Sequence, residues 1–152
     1  MGEIQNCLLP DDLLYHVDYN VWLQENGDGT FHIGMTDIAQ SLAGAMLHCR
    51  AKKVGKTIRA GKSLATVESG KWVGPVKSPL TCEIVAVNED VASDATILNR
   101  SPYKLGWIVR VKPEEGADTT DLIEGAKAIA GFDAYMKQHE LEECIHCEGF
   151  EG

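Results

Sequence analysis

The chain has 152 residues, 44% of them hydrophobic, and its 14 basic and 23 acidic residues give a formal net charge of −9. This length suits one domain with a single core. The acidic balance argues against nucleic acid and anionic membranes as partners. No apolar run approaches the roughly 18 residues of a transmembrane helix. The start of the chain also lacks the basic and apolar regions of a secretory signal. With five cysteines, this predicts a cytoplasmic protein with mostly free thiols.

Short strand-like runs separated by turn residues fill the first three quarters of the chain. Asn26-Gly27-Asp28-Gly29 is a strong hairpin signal between two such runs. Thr36 is typical of a helix N-cap, and a short helix is predicted from Asp37 through Leu42. A helical turn is also predicted within 90–98. The predicted strands cover residues 19–25, 30–35, 46–52, the segments on both sides of Lys71, 82–88 and 107–111. Many short strands of this kind indicate a β-sandwich or a barrel.

The pattern changes after Pro113. Thr119 or Thr120 can cap a helix, and apolar residues then recur at helical spacing from Leu122 to Leu141. The final residues, 148–152, are predicted to be frayed. The chain therefore divides into an N-terminal arm (1–18), a β-domain (19–113), and a C-terminal helix with a cysteine-containing tail (114–152).

A lysine lies at the tip of one predicted hairpin. Glu68-Ser69-Gly70-Lys71 separates two β-prone runs, and serine and glycine are turn formers. This places the Lys71 amine at the end of a rigid two-stranded finger. Such a lysine is either the attachment point of a carried group or an ordinary solvated turn residue.

From about Tyr15 to about Met136 the chain resembles the glycine cleavage system H protein family. The matching landmarks, in order, are residues 34–40 (Gly-Met-Thr-Asp-Ile-Ala-Gln), the glycine turns at 54–56 and 60–62, Glu68-Ser69-Gly70-Lys71, residues 83–88, and residues 99–107 with their Asn-Arg-Ser-Pro-Tyr and Gly-Trp. The resemblance implies a mainly β, lipoyl-type barrel-sandwich hybrid of two antiparallel sheets. It also implies lipoate joined covalently to Lys71 by a lipoate ligase or lipoyl transferase, with Glu68 recognised by that enzyme.

The residues around the lysine depart from the family pattern. Gly70 stands where the family has valine, Trp72 where it has a small residue, and Cys82 where it has glycine. In the hairpin around Lys71 and in the cysteine-containing tail, the chain resembles the lipoate-binding proteins of bacterial sulfur oxidation more than the usual family members. That resemblance implies a heterodisulfide-reductase-like complex and a dihydrolipoyl dehydrogenase as partners. The alternative is an H protein that carries aminomethyl groups between glycine decarboxylase and aminomethyltransferase. A further alternative is an unmodified interaction domain.

Three other side chains are candidates for roles near the site. Trp72 either covers the lipoyl arm or packs in the core. Cys144 and Cys147 are three residues apart and would share a helix face. They are either a reversible redox pair or two solvent-facing thiols. A zinc site needs four ligands, and the sequence offers no such set, so no metal is predicted. With no catalytic constellation, the sequence predicts a carrier and not an enzyme.

Overall fold

Twelve strands and four short to medium helices build the protein, which a computed structural model describes over residues 2–152. The strands are β1 Gly2–Ile4, β2 Cys7–Leu9, β3 Leu14–His16, β4 Val21–Glu25, β5 Phe31–Met35, β6 Met46–Ala51, β7 Thr57–Ile58, β8 Ser63–Ser69, β9 Val73–Lys77, β10 Cys82–Val87, β11 Trp107–Pro113 and β12 Ile123–Glu124. The helices are α1 Asp37–Ala43, α2 Glu89–Ser93, α3 Ile97–Arg100 and α4 Gly125–Gln138.

Two antiparallel sheets dominate the fold. The larger has seven strands in the order β12-β3-β4-β5-β11-β10-β7, and the smaller has three in the order β6-β8-β9. β1 and β2 form a separate two-stranded ribbon. This arrangement confirms the predicted mainly β, barrel-sandwich architecture, with one helix in the N-terminal half and one near the C-terminus.

The main core contains residues from both sheets. Alternation along the strands explains it, since the inward residues Ala65 and Val67 of β8 are fully buried while Thr66 between them faces solvent. They pack with Ile84 and Val109 of the other sheet. A second cluster joins α4 to the N-terminal strands and contains Phe132 among its buried residues. The burial of these apolar side chains is the main source of stability.

The C-terminal helix begins later than the sequence predicts. Ile123 pairs with Tyr15 in β3, so this part of the predicted helix is a strand at the sheet edge. Gly125 then starts α4 next to the chain at Pro10, where an added Cβ would lie 2.8 Å from a backbone oxygen. Pairing with β3 outweighs the local helical pattern at Ile123 and Glu124. As a consequence, the start of α4 lies against the N-terminal arm.

The C-terminal tail is packed, so the prediction of frayed final residues is wrong. Cys144 is only 2% exposed and forms a disulfide with Cys7. The Phe150 ring stacks on His146 with centroids 3.7 Å apart. Three of the five cysteines are free, in agreement with the expectation of mostly free thiols, and the other two are bonded to each other. No helix in the described part of the chain is long and apolar enough to cross a membrane.

Candidate functional site

Lys71 lies in the turn between β8 and β9, as the sequence predicts. The last pair of the ladder joins Glu68 to Val73. The Ser69 N–H then donates to the Trp72 carbonyl oxygen at 2.7 Å, and the Lys71 N–H donates to Ser69 Oγ at 3.3 Å. The buried Ser69 thus closes the turn, and Lys71 is exposed at its tip. The backbone that presents the amine is fixed by hydrogen bonds at both sides of the turn.

The Lys71 side chain extends toward the end of helix α1. A Cβ built on Gly44 would lie 3.2 Å from Lys71 Cε and 3.9 Å from Nζ. Within residues 2–152 the Lys71 ammonium forms no ion pair and no hydrogen bond. Acylation of this amine would remove its charge without breaking a charge pair of the fold. The residues present therefore fit a group joined to Lys71 by an amide.

Gly44 is held in place by a buried asparagine. Asn99 Nδ2 donates to the Gly44 carbonyl oxygen at 2.9 Å and to Gln40 Oε1 at 3.0 Å, while Asn99 Oδ1 accepts from the Met46 N–H at 2.9 Å. Gly44 itself has φ +82°, a conformation that favours glycine. Asn99 therefore fixes the short loop against which the lysine lies.

A second buried polar residue ties this loop to the tail. Asp37 is fully buried and accepts from the Leu8 N–H at 2.9 Å and from Gln40 Nε2 at 2.8 Å. Its Oδ2 lies 2.7 Å from His146 Nε2. Gln40 Nε2 also donates to the Ile145 carbonyl oxygen at 2.9 Å. Helix α1 thus connects the N-terminal ribbon, the lysine loop and the tail.

A groove of about 440 Å³ runs between Lys71 and the tail. Its walls come from the end of α1, from α3 and from the tail, and it is lined by Gln40, Ser41, Gly44, Ala45, Lys71, Thr96, Asn99, Arg100, Ile145, His146, Cys147 and Glu148. We call it the lysine groove. The sequence did not single out Gly44, Gln40 or Asn99 as site residues, although Gln40 and Asn99 lie in segments that resemble family landmarks.

Trp72 lies on the other side of the hairpin. Its indole rests on Gly74, where an added Cβ would meet the ring at 2.2 Å, and the side chain is 40% exposed. It lines a separate groove of about 430 Å³ with Ala43 and Tyr135 among its neighbours. Trp72 therefore does not pack in the core, which was one of the two interpretations of this residue.

Glu68, the predicted recognition residue, and Gly70, a departure from the family pattern, differ in their surroundings. Glu68 is half-buried near the end of β8, opposite His48 and Val73 in the neighbouring strands. Gly70 has no atom within 4 Å of an added Cβ and no positive φ. The turn therefore does not require glycine at position 70. The backbone here could equally hold the valine that the family has at this position.

The structure does not pair Cys144 with Cys147, as the redox-pair interpretation would require. Cys144 is bonded to Cys7 and not to Cys147, because residues 144–147 are not helical and Cys144 faces the ribbon. Cys147 is free and exposed. Cys49 and Cys82 are buried, and burial raises the pKa of Cys49 to about 11. Among residues 2–152 no group of three potential ligands could hold a metal ion.

Two glycines beside Lys71 offer a matched comparison. We expect Gly44→Ala to destabilise the protein by about 1 kcal/mol or more, because its positive φ is strained for alanine and the new methyl group crowds Lys71. Gly70→Val has free space, so its effect should stay within about 0.5 kcal/mol. Urea unfolding of both variants measures the difference. Equal losses would contradict the described role of Gly44.

A rigid hairpin lysine on two antiparallel sheets defines a lipoyl-type domain. A sequence model of the family described as "Glycine cleavage H-protein" matches residues 13–135. The chain is 42% identical over 149 residues to glycine cleavage system H protein 3 of Aquifex aeolicus, covering 95% of this chain and 92% of that one. It is 35% identical over 144 residues to probable glycine cleavage system H protein 2 of Sulfurisphaera tokodaii, covering 93% and 97%.

A solved structure agrees with these sequence comparisons. The crystal structure of a glycine cleavage system H protein from Mycobacterium marinum superposes with a TM-score of 0.71 at 28% identity, covering 87% of this chain and 99% of that one. The chain belongs to the glycine cleavage H-protein family. The tail with Cys144 and Cys147 lies beyond the residues that the family's sequence model matches.

Proposed function

We propose that this chain is a lipoyl carrier in which lipoate is joined by an amide to Lys71 Nζ. The observation that supports this most directly is the exposed, unpaired Lys71 at the tip of a fixed hairpin in a chain of this family. When attached, the group supplies a disulfide ring that partner enzymes open by reduction or exchange. The protein positions the arm: Ser69 fixes the turn, and Gly44 leaves room beside the lysine.

Of the two carrier roles, transport of aminomethyl groups has the broader support. The relatives in both sequence comparisons are named glycine cleavage system H proteins. We therefore place this chain between glycine decarboxylase and aminomethyltransferase, with a dihydrolipoyl dehydrogenase to reoxidise the arm. Glu68 would be read by the ligase or transferase that attaches lipoate, since it lies three residues before the lysine near the end of β8.

A second candidate role is sulfur oxidation with a heterodisulfide-reductase-like complex. It is favoured by the exposed Trp72 directly after the lysine and by a disulfide-anchored tail along the lysine groove. These features change the surroundings of the arm on both sides of the hairpin. A site adapted to one small adduct should be sensitive to such changes.

Attachment is tested by co-expression with a lipoate ligase. We expect the intact mass to rise by one lipoyl group, and peptide mapping to place it on Lys71. Lys77, the last residue of β9, serves as the internal comparison because it is exposed on the same hairpin. An unmodified protein would favour the interaction-domain alternative, and lipoate on Lys77 would refute the assignment.

The carried group is tested by reconstitution with glycine decarboxylase and aminomethyltransferase. We expect turnover comparable to that of an ordinary H protein, with Trp72→Ala as a variant that removes the aromatic neighbour. Turnover far below the ordinary protein, together with reduction of the arm by a sulfur-oxidising complex, would overturn the aminomethyl role in favour of the second candidate. Recovery of turnover in Trp72→Ala would identify the indole as the cause.

A further inference from the structure

The tail crosses three parts of the fold. The Cys144 N–H donates to the Gln5 carbonyl oxygen at 3.0 Å beside the disulfide to Cys7. Farther along, the Ile145 N–H donates to Ser41 Oγ of helix α1 at 3.0 Å. Near its end, the Glu151 N–H donates to the Arg100 carbonyl oxygen at 2.6 Å. The tail thus spans from the N-terminal ribbon to α3, and the disulfide is its covalent anchor.

The same segment forms one wall of the lysine groove. Residues 145–148 face the groove across from Lys71, with Gly44 between them on the side of α1. The position of the tail therefore sets how open the groove is beside the lysine. Any event that frees the tail also changes the surroundings of Lys71.

We propose that the Cys7–Cys144 disulfide is a redox-sensitive latch that holds this wall closed. Cys7 and Cys144 are 0% and 2% exposed, so an external dithiol reaches the disulfide when the tail opens transiently. Two electrons and two protons then pass to the sulfurs of Cys7 and Cys144, and the dithiol becomes a cyclic disulfide. The segment from Glu142 onward then detaches, and the lysine groove opens on its tail side. This opening of the groove wall is independent of whether Lys71 carries lipoate.

The remaining contacts of the tail explain why the disulfide controls it. They are single hydrogen bonds, each of which adds little net stability, together with the contact of His146 with the buried Asp37 and the stacking of Phe150 on His146, and Ile145 is 66% exposed. The covalent anchor keeps the tail at a high effective concentration beside α1. Without it, these contacts alone must offset the conformational entropy of the ordered segment.

Hydrogen exchange and lysine labelling of the unlipoylated protein test the latch, with and without a small dithiol. We expect amides of residues 142–152 to exchange at least about tenfold faster after reduction, since the segment then opens without breaking a covalent anchor. Labelling of Lys71 by an amine-reactive reagent should become several-fold faster. Lys77, in β9 on the side of Trp72, should label at an unchanged rate.

Two variants separate the disulfide from its surroundings. Cys7→Ala/Cys144→Ala should show the fast exchange and labelling without the dithiol, and should not respond to it. Cys147→Ser removes a thiol from the same tail but keeps the disulfide, so it should respond like the wild type. Unchanged tail exchange or unchanged Lys71 labelling after complete reduction would overturn the proposal. So would loss of protection in β4 and β5 together with the tail, since the disulfide would then hold the whole fold.

Discussion

A Lys71→Arg variant is expected to fold normally and to carry no lipoate, with complete loss of turnover in any carrier assay. The guanidinium group of arginine cannot be joined to lipoate by the ligase, and it keeps the positive charge. The native ammonium makes no ion pair or hydrogen bond within residues 2–152, so the free energy of unfolding should change by no more than about 0.5 kcal/mol. Intact mass after co-expression with a ligase, and urea unfolding, measure the two effects.

Lys77→Arg is the matched control for this variant. Lys77 is an exposed lysine of the same hairpin, its ammonium 5.6 Å from the centre of the Tyr19 ring. We expect this variant to be lipoylated and active, because arginine keeps the charge above the ring. Loss of lipoate in Lys77→Arg, or lipoate on another lysine of Lys71→Arg, would contradict the assignment of one attachment site.

The hairpin and the two sheets could be predicted because their signals are local. Alternating apolar residues in β8 and turn residues between Glu68 and Trp72 determine the strands and the exposed position of Lys71. The N-cap at Thr36 is likewise a local signal, and its side chain accepts from the Ala39 N–H as expected. These features depend on residues only a few positions apart.

The surroundings of the lysine could not be predicted in the same way. Gly44 is recognisable as a helix end, but its contact with Lys71 depends on how α1 packs against the hairpin. The disulfide joins residues 137 positions apart, and its geometry depends on the whole fold between them. Comparing Cys144 only with Cys147, its near neighbour in sequence, therefore led to the wrong partner.

The tail is bonded to the rest of the fold, so we expect its removal to cause a large loss of stability. Deleting residues 142–152 takes away the disulfide, whose loss typically costs about 2–5 kcal/mol. It also leaves the fully buried Asp37 without His146, and Gln40 without the Ile145 carbonyl oxygen. A buried polar group that loses its partner costs about 1–3 kcal/mol.

We therefore expect the deletion to lower the Tm by roughly 10 °C or more, since each kcal/mol shifts a domain of this size by about 2–4 °C. Cys7→Ala/Cys144→Ala should lose most of the same stability, because release of the tail in that variant also breaks the contacts of His146 and Ile145 with α1. Cys147→Ser should melt like the wild type, because its side chain is exposed and unbonded. Calorimetry of the oxidised proteins makes the comparison. A Tm within about 2 °C of the wild type after deletion would mean that the tail contributes no net stability, and that Asp37 and Gln40 find other partners, such as water, when it is gone.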